Sequence, residues 1–495
     1  MLNLSTLKTP GVYIDEVDAF PPSVAGVETG VPVFIGHTQK AITAKEEPLT
    51  LVPTKIKSLL DYINLFGGSQ AEDSGLSVTI NQVVDDSGTV LSSSIEMPDP
   101  IPDNERSRFI MRYAIELYFA NGGGPCYIIS VGDYDGNVPG ITAGPATQTA
   151  FKRLEAGLKK LEAEDEPTLI VIPEAVYLST SDYVALNGAA LDQAAKLQDR
   201  FVILDVQQTM DNSKTVQQDI EAFRTAGSPA NNLKFGAAYY PFLNTTIDYN
   251  FAGQEAKVAV TLNRKKQDGT DASPAQEVTN LADTDKIKNI LRNEIQAKLA
   301  EIPLPLPPSA AIAGVYVQTD ASRGVWKAPA NVGVSYIVGP SRKIDDNDNA
   351  MMNVTDTGKS VNPIRHLTGR GNLVWGARTL DSNNTDWKYI SVRRFFNFVE
   401  ESVKKATYRF VFEPNDANTW VKVRGMIENF LTLQWRAGAL QGSKPEQAFY
   451  VRVGLGQTMT ADDVLNGRMI VEIGMAAVRP AEFIVLRFTQ IQPQA

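Results

Sequence analysis

Asp133 and Asp135, Glu174, and Asp205 follow or end three short apolar runs, CYIISV (126–131), TLIVIP (168–173) and FVILDV (201–206). If those runs are parallel strands of one sheet, the carboxylates gather beyond its carboxyl edge, where open α/β folds bind ligands, and could hold a hard cation such as Mg²⁺. That would make the chain a metal-dependent α/β enzyme. The competing reading is that each carboxylate caps the helix that follows it, and we carry this one forward, with no catalytic residue, metal or cofactor expected. The other chemical signals are weaker. His37 and His366 lie far apart without metal-ligand spacing, so both are expected to be structural. NVTDTGKS (353–360) ends like a phosphate-binding loop, but Asn353 stands where the first glycine is needed and no apolar strand precedes it. GLGQTM (454–459) lacks a third glycine, and Gly122 to Gly124 follow a helix and enter a strand, the reverse of a pyrophosphate cradle. No G-x-S-x-G elbow occurs. A single cysteine, Cys126, rules out an internal disulfide or a cysteine-based cluster.

One basic cluster, Arg393, Arg394, Lys404, Lys405 and Arg409, surrounds a helical stretch whose apolar face is Phe395, Phe396, Val399 and Val403. Such a run is usually a solvated face; in a chain of net charge −10 it can instead dock on an acidic partner. The same net charge argues against a nucleic-acid coat. The start, MLNLSTLKTPG, has no basic region followed by an apolar core and cleavage site, and no run approaches the roughly 18 apolar residues of a membrane span. We expect neither Sec export nor membrane insertion by the chain's own signals.

The elements that must position these residues divide the 495-residue chain, which is too long for one core. In TPGVYIDEV (9–17), Val12, Tyr13, Ile14 and Val17 predict a strand without a hairpin partner, because Phe20-Pro21-Pro22 breaks the chain after it. At the other end, AEFIVLRFTQ (481–490) sets Ile484, Leu486 and Phe488 against Phe483 and Val485. A strand apolar on both faces wants neighbours on both edges. Chain ends fray unless tied into a sheet, so both ends are expected to be tied into something. Between them, apolar runs alternate with amphipathic helices, which predicts a mostly parallel sheet covered on both faces, with IAGVYV (312–317) as a further strand. From about 310 an α+β domain follows, in which VSYIVG, GNLVWGARTL, WKYISV and TYRFVF read as strands and RRFFNFVEESVKKA and TWVKVRGMIENFLTLQW as helices. The expected organisation is an N-terminal arm (1–20), a β-rich core domain (21–40 with 310–480), an exposed acidic insertion (41–105), an α/β domain (106–309) interrupted at 244–308, and a C-terminal arm (481–495).

LKTPGVYIDEV, AGVYVQTDASRGVWKAPAN (313–331), GARTL (376–380), YISVRRFFNFVEESV and the closing RPAEFIVLRFTQ resemble, in order and spacing, the tail sheath proteins of contractile phage tails and phage-tail-like injection systems. The blocks cover the first 40 residues and most of 310–495; the motif residues are Gly324, Trp326, Pro329 and Asn331. Trp326, between glycine and proline turns, reads as a packing plug. The resemblance implies a structural subunit, not an enzyme. It implies self-assembly as stacked hexameric rings or a helical sheath around an inner tube protein, between baseplate and terminal cap proteins, with sheath paralogues possible in the same particle. It further implies that the two arms add strands to neighbours and that assembly takes place in the bacterial cytoplasm; Arg393, Arg394, Lys404 and Lys405 are the candidate tube-facing residues. An injection-particle sheath ranks first, a phage tail sheath second and a type VI sheath third.

Overall fold

The structure is a computed structural model that describes residues 23–72, 77–97, 107–134, 150–208, 213–250, 258–284, 287, 289–356 and 358–485. In chain order the elements used below are β1 (Pro32–Gly36), β2 (Thr54–Ile56), α1 (Leu59–Phe66), β3 (Ser77–Val84), β4 (Val90–Glu96), α2 (Met111–Ala120), β5 (Cys126–Ser130), α3 (Ala150–Leu161), β6 (Leu169–Val171), α4 (Thr180–Leu197), β7 (Phe201–Asp205), α5 (Val216–Ala222), β8 (Gly236–Tyr240), β9 (Leu243–Thr245), β10 (Ala259–Lys266) and β11 (Asp271–Asn280). They continue with α6 (Asn289–Glu301), β12 (Leu304–Leu306), α7 (Ser309–Arg323), β13 (Val332–Gly333), β14 (Ile337–Pro340), α8 (Asp346–Asn353), β15 (Val361–Leu367), β16 (Gly371–Val374), α9 (Ile390–Thr407), α10 (Ala417–Arg436), β17 (Phe449–Arg452) and β18 (Glu472–Met475).

The three apolar runs CYIISV, TLIVIP and FVILDV form β5, β6 and β7, and with β8 they join a nine-stranded mixed sheet in the order β13-β16-β15-β8-β7-β6-β1-β5-β2. Its six inner strands, β15 to β5, are parallel. Alternate residues enter opposite cores: Phe34 and Ile128 on one face, Val33, Ile35 and Ile129 on the other. Helices α2 and α7 contribute to the first core, α3 and α4 to the second. Burial on both faces is why these strands are continuous apolar runs without polar alternation. Contacts divide the described chain into two compact units: Phe395–Arg479 with the described residues up to Val27, and Glu28–Arg394 with those from Pro480 onward.

Several expectations need correction. IAGVYV is not a strand but the middle of α7. A short apolar run cannot be told from a buried helix by periodicity, and this helix is buried nearly all round, with Gly314 so close to α2 that a Cβ would lie 2.7 Å from the Tyr118 carbonyl oxygen. WKYISV runs into α9, and TYRFVF is a surface turn with a 3₁₀ segment at Tyr408–Phe410. The 395–479 unit is therefore mainly helical and not β-rich, and the strands of 332–374 belong to the large sheet and its neighbours. The acidic stretch 41–105 is not wholly an exposed insertion, since β2 pairs with β5 and Tyr62 and Phe66 of α1 are core residues. Its hairpin β3-β4 instead joins β10 and β11 of the second interruption in one four-stranded sheet, β3 and β10 running parallel from Ser77↔Ala259 to Val84↔Lys266.

Candidate strand-addition surface

In the 395–479 unit, α9 buries Phe395, Val399 and Val403, one residue per turn, and Phe398 packs on Phe430 of α10 at 5.9 Å between ring centroids. Asp416 caps α10 by accepting the Thr419 N–H (2.9 Å). Beside these helices, β17 and β18 form an antiparallel ribbon of four residue pairs, Phe449↔Met475 to Arg452↔Glu472. Among the described residues no further strand pairs with either edge. A two-stranded ribbon is marginal by itself and offers unpaired backbone donors and acceptors.

Along β18 runs an apolar groove of about 710 Å³, lined among others by Val403, Ile427, Met469, Val471 and Ile473. A second hollow of about 320 Å³ shares Val403 and Ile473 with it and adds Phe396, Val399 and Met475. Ile473 and Met475 of β18, with Met469 and Val471 in the stretch before it, are spaced by two and line the two hollows, and this alternation in RMIVEIGM is the sequence signal for them. At its rim Phe412 is 103% exposed with φ +71°, a backbone region that bulky residues avoid. The surface can take up an extended apolar segment by main-chain pairing and side-chain burial; it contains no arrangement for bond-making chemistry.

The basic cluster splits. Arg393 and Arg394 are 3% and 4% exposed, so the tube-facing expectation fails for both. Arg394 makes a fork-to-fork pair with Asp320 (3.0 and 2.6 Å), donates to the Thr29 carbonyl and lies over the Tyr316 ring; Arg393 lies 4.2 Å from the Trp387 ring centroid. Both hold the first turn of α9. Lys404 and Lys405 are more exposed and ion-pair with Glu401 at 3.0 and 3.4 Å.

Glu174 and Asp205 are each engaged by other groups of the chain. Glu174 is taken by His37, whose N–H donates to Oε2 (3.1 Å) and whose Nδ1 lies 2.7 Å from the same oxygen. Asp205 accepts the Ser309 N–H (2.6 Å) at the start of α7, and burial pushes its carboxyl up to about 7 despite that bond. Asp133 is half-buried, and Asp135 lies outside the described residues. No group of three His, Cys, Asp or Glu suited to a metal occurs among the described residues. Nor is any described helix long and apolar enough to cross a membrane.

The motif residues form the turn out of α7. Gly324 has φ +88°, and a Cβ there would lie 2.4 Å from the Trp326 ring, so the plug requires glycine. Pro329 is buried, and Asn331, at φ +60°, donates its N–H to Val374 (2.7 Å) and accepts from Arg370 (2.6 Å). Of the arm residues, Phe483, Ile484 and Val485 are 72%, 79% and 78% exposed and carry no regular secondary structure. Leu486 and Phe488, like Val12, Tyr13, Ile14 and Val17, lie outside the described residues.

Residues 382–491 match the family model for the phage tail sheath C-terminal domain. The sheath complex of PVC, an extracellular contractile injection system, in its contracted state is 28% identical, with a TM-score of 0.60 and coverage of 98% of both chains. The contracted helical sheath of the anti-feeding prophage is 31% identical over 98% of this chain and 99% of that one, with a TM-score of 0.59. A chain of the six-fold symmetrised anti-feeding prophage baseplate is also 31% identical, covering 98% of this chain and 100% of that one at a TM-score of 0.58. A prophage major tail sheath protein of Pseudomonas aeruginosa (strain UCBPP-PA14) is 29% identical over 119 residues, 23% of this chain, and the tail sheath protein of Enterobacteria phage T4 is 24% identical over 185 residues, 37% of this chain. The chain spans 30% and 27% of the length of these two relatives.

Proposed function

The chain belongs to the contractile tail sheath family, and on that premise we propose that its subunits polymerise around an inner tube in an extended, high-energy state and contract to drive the tube through a target envelope. It is a structural component of a phage tail or an extracellular contractile injection particle and not an enzyme. The observation that carries the mechanical reading is the ribbon β17-β18, which among the described residues is two strands wide beside an apolar groove, in a chain whose two ends are rich in apolar and β-branched residues. Strands lent by the arms of neighbouring copies complete that ribbon. At roughly 0.5–1.5 kcal/mol net per main-chain hydrogen bond, a strand of four or five bonds adds several kcal/mol per junction, and groove burial adds to it. Head-to-tail junctions of this kind propagate as rings or a helix and do not close as a dimer. The arms, being covalently continuous, keep the mesh connected while subunits repack.

We favour the injection-particle setting because the PVC and anti-feeding prophage structures match nearly the whole chain. The partners are then further copies, an inner tube protein, baseplate and cap proteins, with assembly in the bacterial cytoplasm before release. Lys404 and Lys405 remain the candidates for the tube-facing surface. The test is electron microscopy of the purified full-length chain and of variants lacking 1–20 or 481–495. The full chain should form long tubes and each truncation should lower their yield at least tenfold; truncated chains that polymerise as well as the full chain would overturn strand exchange.

A further inference from the structure

Two of the blocks that carry the family resemblance, GARTL and RPAEF, have no role in the groove, yet they meet at one carboxylate. Arg378, in the stretch after β16, donates Nε to Glu482 Oε1 (2.9 Å) and Nη2 to Oε2 (2.6 Å), a fork-to-fork pair, and Tyr389 OH donates to Oε2 as well (3.1 Å). Arg378 is itself held: Nη1 donates to the Asn353 carbonyl (3.0 Å), and its main-chain N–H and C=O are both bonded by the Asn362 side chain (2.8 Å each). Asn362 lies on β15, inside the nine-stranded sheet. Burial alone would push the Glu482 carboxyl up, but the bonds and charge of Arg378, with Tyr389, outweigh it and hold the carboxyl below its usual range. The next three residues, Phe483 to Val485, are exposed. Nearer the other end of the chain, the Val27 N–H donates to Ser402 Oγ (3.1 Å) on α9.

We infer that Glu482 is the fixed end of the C-terminal arm, and that the Arg378 fork delivers tension carried by the lent strand into the nine-stranded sheet of the lending subunit. The inference rests on the strand-exchange reading. A bidentate pair on a prepositioned guanidinium resists a pull along the chain better than one hydrogen bond, because both contacts must break together. Glu482 and Arg378 are positioning residues: they leave the strand-forming side chains untouched and determine where the load arrives.

The test compares full-length protein with Arg378→Lys, Glu482→Gln and a chain ending at residue 480, by monomer melting, polymer yield and fragmentation of polymer under controlled shear. Arg378→Lys keeps a cation beside Glu482 but removes the fork. The expected result is near-normal polymer yield for both point variants with fragmentation at least tenfold faster, and a polymer yield at least tenfold lower for the truncated chain. Point-variant polymers that fragment at the unaltered rate overturn the inference, whereas a truncated chain that polymerises normally overturns strand exchange itself. Should the point variants fail to fold, carbodiimide labelling of carboxylates on the unaltered subunit decides: Glu482 should react at least tenfold more slowly than the exposed Glu446, and equal rates would overturn the clamp.

Discussion

The nine-stranded sheet and the β17-β18 ribbon solve the same problem in opposite ways. The large sheet ends at β2 and β13, strands of three and two residues, which leaves little edge to pair with. Its buried ions are matched inside the unit, Arg394 with Asp320 and Arg200 with Asp199. The ribbon has four residues on each strand, an apolar groove along β18 and a fully exposed phenylalanine at the rim. One sheet is closed at both edges by very short strands, whereas the other is, among the described residues, only two strands wide, which is what the strand-exchange proposal requires.

The sharpest way to break that contrast is to place a charge in each sheet. Ile129→Asp buries an unpaired carboxylate in the core between the sheet and helices α3 and α4 and should abolish folded monomer, read by circular dichroism and gel filtration. Ile473→Asp should leave the monomer's stability within about 1 kcal/mol but cut tube yield more than tenfold, because its cost falls on the junction. Next in size, Asp320→Ala orphans Arg394 and should destabilise the monomer by about 3–5 kcal/mol in chemical denaturation. A smaller effect is pH-dependent. Asp205 is raised in the folded state from an ordinary value of 3.8 to about 7, so the native form binds more protons than the unfolded one across that interval, and stability from this group falls as pH rises from 4 to 7. Asp205→Asn should flatten that slope in melting curves recorded across the same range. Last, Lys404→Gln with Lys405→Gln takes two part-exposed ammonium groups from the buried Glu401 and should cost the monomer about 1–3 kcal/mol. Co-sedimentation with the inner tube should nevertheless fall several-fold; unchanged binding would remove these lysines from the tube-facing surface.

Legibility followed the range of the signal. The alternation around β5 to β8 is local, and each strand lies where its apolar run stands. The groove's wall was visible as a period of two in RMIVEIGM, although nothing local tells what lies across from it. Arg393 and Arg394 misled because adjacent charges on an amphipathic helix usually face water. Here Asp320, 74 residues away, takes Arg394 inside. TYRFVF misled because β-branched and aromatic alternation reports fitness for a pleated surface, and in this turn no strand pairs with it.

By itself the amino-acid sequence determined the parallel α/β character of the middle region and the lack of an internal disulfide, since these follow from short-range period and one cysteine. Only the tertiary structure decided that IAGVYV is a helix, that β3 joins β10 across some 180 residues, and that Arg378 meets Glu482 across 104. The physical reason is that backbone preference is a local energy, whereas burial, pairing edge and ion partner are supplied by chain segments that become neighbours only when the core closes.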